Sequence, residues 1–120
     1  MTPEQIAEAQ KLTRERAPKG VLSDFATGMN AYDRGDYEAA LRVIRPLAEL
    51  GHAAAQKQLG LMYAFGQVVP QDFVQSYMWF SLSISQGGES ASELRNIVAK
   101  KMTPEQIAEA EKLAREWWPR

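Results

Sequence analysis

Apolar residues recur every three or four positions along most of the chain, which is the spacing of one face of an α-helix. Helix start and stop signals divide the interior into five helices. These run from Ser23 or Asp24 to Gly35, from Asp36 to Gly51, from Ala53 to Phe65, from Asp72 to Gly87, and from Ser90 to Lys101. No segment shows a convincing period of two, which a half-buried strand requires. We therefore predict an all-α protein.

The two ends of the chain carry the same helix. Residues 1–9 and residues 102–110 both read MTPEQIAEA, and fourteen of the first nineteen residues recur at an offset of 101. Each copy begins with a Thr, Pro and Gln in the order of a helix N-cap and capping box. The apolar stripe Ile6, Ala9 and Leu12 of the first copy returns as Ile107, Ala110 and Leu113. We predict a leading helix that duplicates the closing one.

Short connections between the predicted helices favour antiparallel hairpins. Three hairpins in an offset of 101 residues give about 34 residues each, a period typical of tetratricopeptide arrays. The chain then divides into a leading helix over residues 1–20 and three hairpins over residues 21–120, the last ending in a capping helix. About seven helices result.

The first hairpin resembles a tetratricopeptide unit, with small Gly28 and Ala40 where the helices approach and Tyr32 and Tyr37 filling the hairpin. The second is more specific. Its segments LGLMYAFG (59–66) and VPQD (69–72) and its Trp79 resemble the Sel-one-like repeat family, within the tetratricopeptide-like superfamily of helical repeats.

Two positions depart from the pattern of that family. Val68 stands where the family usually has a second glycine, and Ser76 where it has alanine. The resemblance implies a right-handed α-α superhelix, used as a scaffold that binds proteins or peptides and usually has no catalytic activity.

The distribution of charge predicts where the core lies. Between Pro46 and Ser92 only Glu49, Lys57, Asp72 and Glu89 are charged. The helix after Asp72 is apolar nearly all round, as a helix covered on several sides should be. Both end helices alternate charged residues with their apolar stripe, as terminal units of a repeat array do.

If the superhelix is built as in its relatives, the first helix of each hairpin lines the concave face. The candidate groove residues are then Met29, Tyr32, Asp33, Lys57, Leu61, Ala64, Phe65, Arg95 and Asn96. Trp117 and Trp118 have two interpretations, as a docking patch at the end of the chain or as a seal for the end of the core.

Composition excludes several kinds of chemistry. The chain has no Cys and one His, His52, so we expect no thiol nucleophile, no metal site and no cofactor. Fourteen basic and fifteen acidic residues leave no positive field for nucleic acid or anionic membranes. No apolar run is long enough for a membrane span, and the first twenty residues are unlike a signal peptide. We expect a soluble, non-enzymatic protein, and cytoplasm and periplasm both stay open.

Two hypotheses about function follow. In the first, the chain is a scaffold that binds a protein or peptide through its concave face. In the second, the duplicated end helices control head-to-tail or swapped self-assembly. Their near-identity indicates either engineering or recent duplication, and the sequence does not choose between these origins.

Overall fold

Six α-helices follow one another in the computed structural model, which describes Pro3 and residues 21–117. They are α1 (Val21–Asp33), α2 (Tyr37–Glu49), α3 (Ala53–Phe65), α4 (Phe73–Ser85), α5 (Ala91–Ala99) and α6 (Pro104–Trp117). The residues described contain no strand, and the predicted all-α class is confirmed. The predicted leading helix over residues 1–20 lies outside the described residues, apart from Pro3.

Side chains cap the helices where the sequence predicts helix starts. Asp36 Oδ1 accepts from the Ala39 amide at 3.3 Å, and Asp72 Oδ1 accepts from the Gln75 amide at 3.1 Å. Each bond satisfies an amide that the helix itself leaves without an acceptor. At α6, the Gln106 amide donates to Thr103 Oγ1 and the Thr103 amide donates to Gln106 Oε1, which is the predicted capping box.

The glycines predicted at helix ends agree with the structure, and one predicted helix start does not. All four glycines predicted at helix ends or turns have positive φ, namely Gly35, Gly51, Gly66 and Gly87. The exception is the start of α1, which lies at Val21 rather than at Ser23 or Asp24. Asp24 instead falls in the first turn, where the partial positive charge of a helix N-terminus also favours a carboxylate.

The centre of the fold is α4, against which α3, α5 and α6 all pack. Its residues 76–80, 82 and 83 are buried, which confirms the predicted core helix. The pairs α1 with α2 and α3 with α4 form close hairpins. In the third pair, α5 has only nine residues, and both α5 and α6 have α4 as their main neighbour. These three neighbouring helices therefore shield α4 from water on three sides.

Two buried clusters flank α4. The larger joins α1 to α4 through residues such as Ile44, Leu47, Leu59 and Trp79, and the end of α6 packs against it. The smaller lies between α4, α5 and α6 around Phe80. Each cluster spans more than one predicted hairpin, so no hairpin has a core of its own, as expected for stacked repeats.

The loop between α3 and α4 contains an unusual backbone conformation. Val68 has φ of +69°, while its side chain is 50% exposed. A β-branched residue is strained in this left-handed region, whereas glycine adopts it freely. This is the position at which the sequence departs from the repeat pattern by lacking a glycine. The conformation that glycine favours is therefore retained with valine in its place.

Replacing Val68 with Gly should stabilise the fold. Relief of left-handed strain is worth about 1–2 kcal/mol, and the extra backbone entropy of glycine in the unfolded chain offsets about 0.5–1 kcal/mol of it. We expect the free energy of unfolding in urea to rise by up to about 1.5 kcal/mol. Val68→Ala is the control, since it removes the branched side chain but keeps the strain. A Val68→Gly variant less stable than Val68→Ala would contradict the argument.

Candidate binding groove

An apolar groove of about 300 Å³ lies between α3, the start of α4 and α5. Its apolar lining consists of Leu61, Ala64, Phe65, Phe73, Phe80, Leu94, Ile97 and Val98. Phe65 is 66% exposed and Ile97 is 54% exposed, so both leave much of their surface in water. An exposed aromatic and an exposed aliphatic side chain beside a cavity mark a surface suited to binding.

Close packing of α3 on α4 forms the floor of this groove. Phe80 is fully buried, and its ring lies so close to α3 that a Cβ on Gly60 would be 2.6 Å from Phe80 Cε1. Beside it, Ser76 Oγ donates to the Gly60 carbonyl at 2.7 Å. Gly60, the glycine of the Leu-Gly pair, therefore leaves room for the Phe80 ring. Ser76, which stands where the family has alanine, donates its hydroxyl hydrogen bond to the backbone carbonyl of the same glycine.

The polar groups around the groove are few. Gln71 Nε2 donates to the Ala64 carbonyl at 2.9 Å, which holds the loop before α4 against the end of α3. Lys101 is exposed and follows α5 directly in the chain. Among the described residues that line the groove, Lys101 is the one that carries a charge. The groove is thus apolar with a single cation beside it.

A network of three side chains ties α4, α5 and α6 together behind the groove. The buried Tyr77 hydroxyl donates to Glu111 Oε1 at 3.1 Å, and the Arg95 guanidinium lies 5.5 Å from the centre of the Tyr77 ring. Burial, followed by the Glu111 hydrogen bond, raises the pKa of Tyr77. Arg95 Nη1 also donates to Ser81 Oγ at 3.5 Å. Arg95 therefore serves as a structural cation–π partner here.

His52 has a structural role in the same fold. Its Nδ1 accepts from the Ala55 amide at 3.1 Å as the N-cap of α3, and its ring lies 5.0 Å from that of Phe25. Burial lowers the pKa of His52, which favours the neutral form that can accept this bond. Within residues 21–117 and Pro3, no cluster of three or more metal-ligating side chains occurs. No helix of the described part is long and apolar enough to span a membrane.

Comparison with known proteins places this fold. No family model matches the chain. Two curated proteins named exopolysaccharide production negative regulator are similar to it. The one from Rhizobium leguminosarum bv. viciae is 38% identical over 74 residues, which cover 62% of this chain and 28% of the relative. The one from Rhizobium meliloti is 32% identical over 82 residues, covering 68% and 30%.

Among solved structures, a protective antigen of uropathogenic Escherichia coli that displays an SLR fold is similar over 97% of this chain, with 33% identity and a TM-score of 0.74. SLR denotes the Sel-one-like repeat. The chain has the SLR fold. It spans less than a third of each curated relative and 26% of the solved antigen, so it corresponds to a part of those proteins.

The SLR fold brings a few of the predicted groove residues together. Leu61, Ala64 and Phe65 line the groove, as α3 was predicted to do. Lys57, one turn before Leu61, extends its Nζ to Ser90 Oγ at 3.4 Å, so it bridges from α3 to the start of α5. These α3 residues and the α5 face across from them make up the candidate site.

The structure places the other predicted residues elsewhere. Met29 is half-buried against the larger cluster, and Asp33 and Asn96 are exposed. The Tyr32 hydroxyl donates to Gln67 Oε1 at 2.7 Å, which links α1 to the loop after α3. Arg95 lies in the network with Tyr77. None of these five residues lines the groove between α3 and α5.

Sequence reasoning missed the α5 side of the groove. Leu94, Ile97 and Val98 follow the spacing of one helix face, and Lys101 continues that face by one turn. The prediction instead named the neighbouring polar residues of α5. Helical periodicity could have identified this face as apolar, but it cannot show that part of the face stays uncovered.

The first of the two terminal tryptophans packs inward. The Trp117 ring meets the buried Trp79 ring edge-on, with centroids 5.0 Å apart, and Trp117 lies against the larger cluster. Trp118 lies outside the described residues, so the proposed terminal docking patch stays a prediction.

Replacing Gly60 with Ala should damage the floor of the groove. The new Cβ would clash with the Phe80 ring, and overpacking of this kind costs about 1–3 kcal/mol, although alanine favours a helix by about 1 kcal/mol. We expect Gly60→Ala to have a lower urea midpoint than the unsubstituted chain. The double variant Gly60→Ala/Phe80→Leu should recover part of that lost stability. Gly28→Ala is the matched control, because its Cβ would lie 3.2 Å from Ile44 and Val43. An equal drop in the urea midpoint of Gly60→Ala and of Gly28→Ala would refute the argument.

Proposed function

We propose that this SLR chain is a non-catalytic scaffold that binds a segment of a partner protein in the groove between α3 and α5. One observation carries the proposal: two large apolar side chains, Phe65 and Ile97, stand largely exposed beside a preformed apolar cavity. A volume of about 300 Å³ is small. It suits a few side chains of a peptide better than a large cofactor.

The exposed surface supplies binding energy of a useful size. Full burial of a large apolar side chain is worth about 1.5–3 kcal/mol. Because more than half of both Phe65 and Ile97 is exposed, covering the two should contribute roughly 2–4 kcal/mol in total. This amounts to about a thirtyfold to a thousandfold change in affinity. Phe65 and Ile97 are therefore the expected hot spots.

The single charge beside the groove favours an acidic partner. Lys101 offers an ammonium group next to apolar walls, with no carboxylate among the lining residues described. A carboxylate at the edge of an otherwise apolar segment would complement it and fix the orientation of that segment. We infer an amphipathic peptide with two apolar anchors and an acidic residue at one end.

The absence of an acid–base pair in the described lining supports binding over catalysis. Lys101 is the titratable group there, and general acid–base or nucleophilic chemistry requires partners arranged around it. The names of the curated relatives, which describe negative regulators, fit a protein that acts by occupying a segment of its partner. The nearly balanced charge of the chain supports a protein partner over nucleic acid or a membrane.

A display library of amphipathic acidic peptides, selected on the full chain, tests this function. Phe65→Asp should weaken the selected peptides at least about tenfold, or about 1.4 kcal/mol, by calorimetry. Lys101→Glu should weaken those peptides whose acidic residue is essential.

Leu50→Asp is the matched control for Phe65→Asp. Leu50 is 67% exposed, nearly the same as Phe65, but it follows α2 and is outside the groove. Circular dichroism should show equal helicity in both variants. Equal loss of binding in both, or loss in neither, would place the peptide elsewhere on the chain and overturn the proposal.

Self-assembly through the end helices is a second candidate function. Its supporting observation is the way α6 packs: Ala110 is fully buried, and Ile107 and Leu113 pack partly buried against the clusters around α4. Residues 1–12 repeat this apolar stripe, so a segment of one copy has the side chains to take the place of α6 in another.

If end helices exchange between copies, the molar mass in solution should rise with concentration. Light scattering on the full chain should then report masses above the 13.4 kDa of one copy. Ala110→Glu and Ala9→Glu disturb the two copies of the stripe separately, and exposed Ala108→Glu is their control. A constant mass of one copy over the whole concentration range rules this candidate out.

A further inference from the structure

The two walls of the groove between α3 and α5 run in the same direction. Ser83 Oγ donates to the Ala53 carbonyl and Ser76 Oγ donates to the Gly60 carbonyl, both at 2.7 Å. Later residues of α4 thus meet earlier residues of α3, so these two helices are antiparallel. A connection of five residues turns α5 back along α4 in the same way. The helices α3 and α5 are therefore parallel.

The two walls match at an offset of 33 residues. Each wall contributes three apolar residues at helical spacing, and the two sets differ by this offset: Leu61, Ala64 and Phe65 on α3, and Leu94, Ile97 and Val98 on α5. The contact between Lys57 and Ser90 has the same offset. A residue of α5 is therefore level with the residue of α3 that lies 33 positions earlier in the chain.

A lysine lies at each end of the groove. Lys57 precedes the apolar residues of α3 by one turn, and its Nζ is 3.4 Å from Ser90 Oγ. Lys101 lines the opposite end, where the offset places it level with Val68. At a rise of 1.5 Å per residue, the step from position 57 to position 68 separates the two lysines by about 16 Å along the groove.

Neither lysine is neutralised by a carboxylate of the described residues. Within residues 21–117 and Pro3, the one ion pair joins Lys112 to Glu116 on α6. Near the start of α5, Glu89 and Glu93 are exposed, and neither forms an ion pair with Lys57. A partner with two carboxylates would therefore complement the charge of the groove at both of its ends.

Lys57 is held in position by Ser90. The lysine is partly buried, and Ser90 lies at the N-cap of α5 without capping an amide through its side chain. Its hydroxyl oxygen instead accepts from the ammonium group of Lys57. An ammonium group has three donors, so one bond to Ser90 leaves others for a carboxylate.

The width of the groove favours an extended occupant. The single side chain of Lys57 reaches from α3 to the start of α5. A helix with its side chains is about 10–12 Å across, so a further helix does not fit into a gap that one lysine bridges. An extended chain rises about 3.3 Å per residue, so a separation of about 16 Å corresponds to about five residues.

We propose that the groove binds an extended segment of the partner in which two acidic residues, about five positions apart, pair with Lys57 and Lys101. The inference rests on the proposed function and deepens it, because it adds a second acidic contact and the conformation of the segment. Alternate side chains of an extended chain point to the same side. Two apolar anchors between the acidic residues can thus both face the floor that Phe80 forms.

Selection from a library of random peptides on the full chain tests the spacing. The peptides are long enough to contain acidic residues at the extended and at the helical spacing. Enriched peptides should carry two acidic residues about five positions apart, with apolar residues between them. A spacing of about eleven positions would indicate a helical segment. That spacing, or a single acidic residue per peptide, overturns the proposal.

Charge reversal tests the two pairings. Lys57→Glu and Lys101→Glu should each weaken the enriched peptides about twofold to tenfold by calorimetry, since reversal removes an attraction and adds a repulsion. Replacing one acidic residue of the peptide with lysine should rescue each variant, at a different peptide position for each. Arg34→Glu, exposed after α1, changes the net charge equally and is the control. A loss in Lys57→Glu no larger than in Arg34→Glu, or rescue of both variants at one position, overturns the proposal.

Phe65→Asp separates this inference from the proposed function. If Phe65→Asp removes binding but Lys57→Glu does not weaken it, the groove function holds and the second acidic contact is wrong. If Phe65→Asp leaves binding unchanged, or no peptide is enriched, the proposed function fails and the inference fails with it. Circular dichroism reports whether each variant is folded. Should Lys57→Glu lose helicity, Lys57→Gln still donates to Ser90 without a charge, and a loss of about twofold is then expected.

Discussion

The contact between Phe80 and Gly60 is the constraint on which the rest of the structure depends. A ring this close to a helix backbone requires the absence of a Cβ, and the Ser76 hydroxyl secures the exposed carbonyl beside it. This contact sets the distance between α3 and α4. Because α4 also receives α5 and α6, an error in that distance would be passed to three interfaces, and interiors packed at crystal-like density absorb such errors poorly.

The groove follows from the same contact. The Phe80 ring fills the space under α3 and forms the floor of the groove, so Leu61 and Phe65 cannot sink into the core. The nine-residue α5 supplies the opposite wall with Ile97 only partly covered. Apolar surface of both helices is thereby left exposed beside the cavity. Another cavity, lined by residues of opposite charge, lies between the start of α1 and the end of α2.

Local chemistry made much of the fold predictable. Asp36, Asp72 and Thr103 begin helices through short-range hydrogen bonds, and glycines end helices through a conformation that few other residues adopt. The scarcity of charge in α4 identified it as the core helix. For the groove, the structure places the predicted residues Leu61 and Phe65 of α3 in the lining, whereas the predicted Arg95 of α5 lies over the Tyr77 ring and Ile97 lines the cavity.

The sequence by itself determined the all-α class and the order of the described helices, because these depend on caps, periodicity and spacing within a few residues. Only the tertiary structure decided which apolar face stays open. Arg95 and Ile97 are two residues apart in the chain, yet one is held over the Tyr77 ring by α4 and the other stands in water beside a cavity. That difference depends on where α4 and α6 lie around α5, and long-range packing of this kind leaves no local pattern.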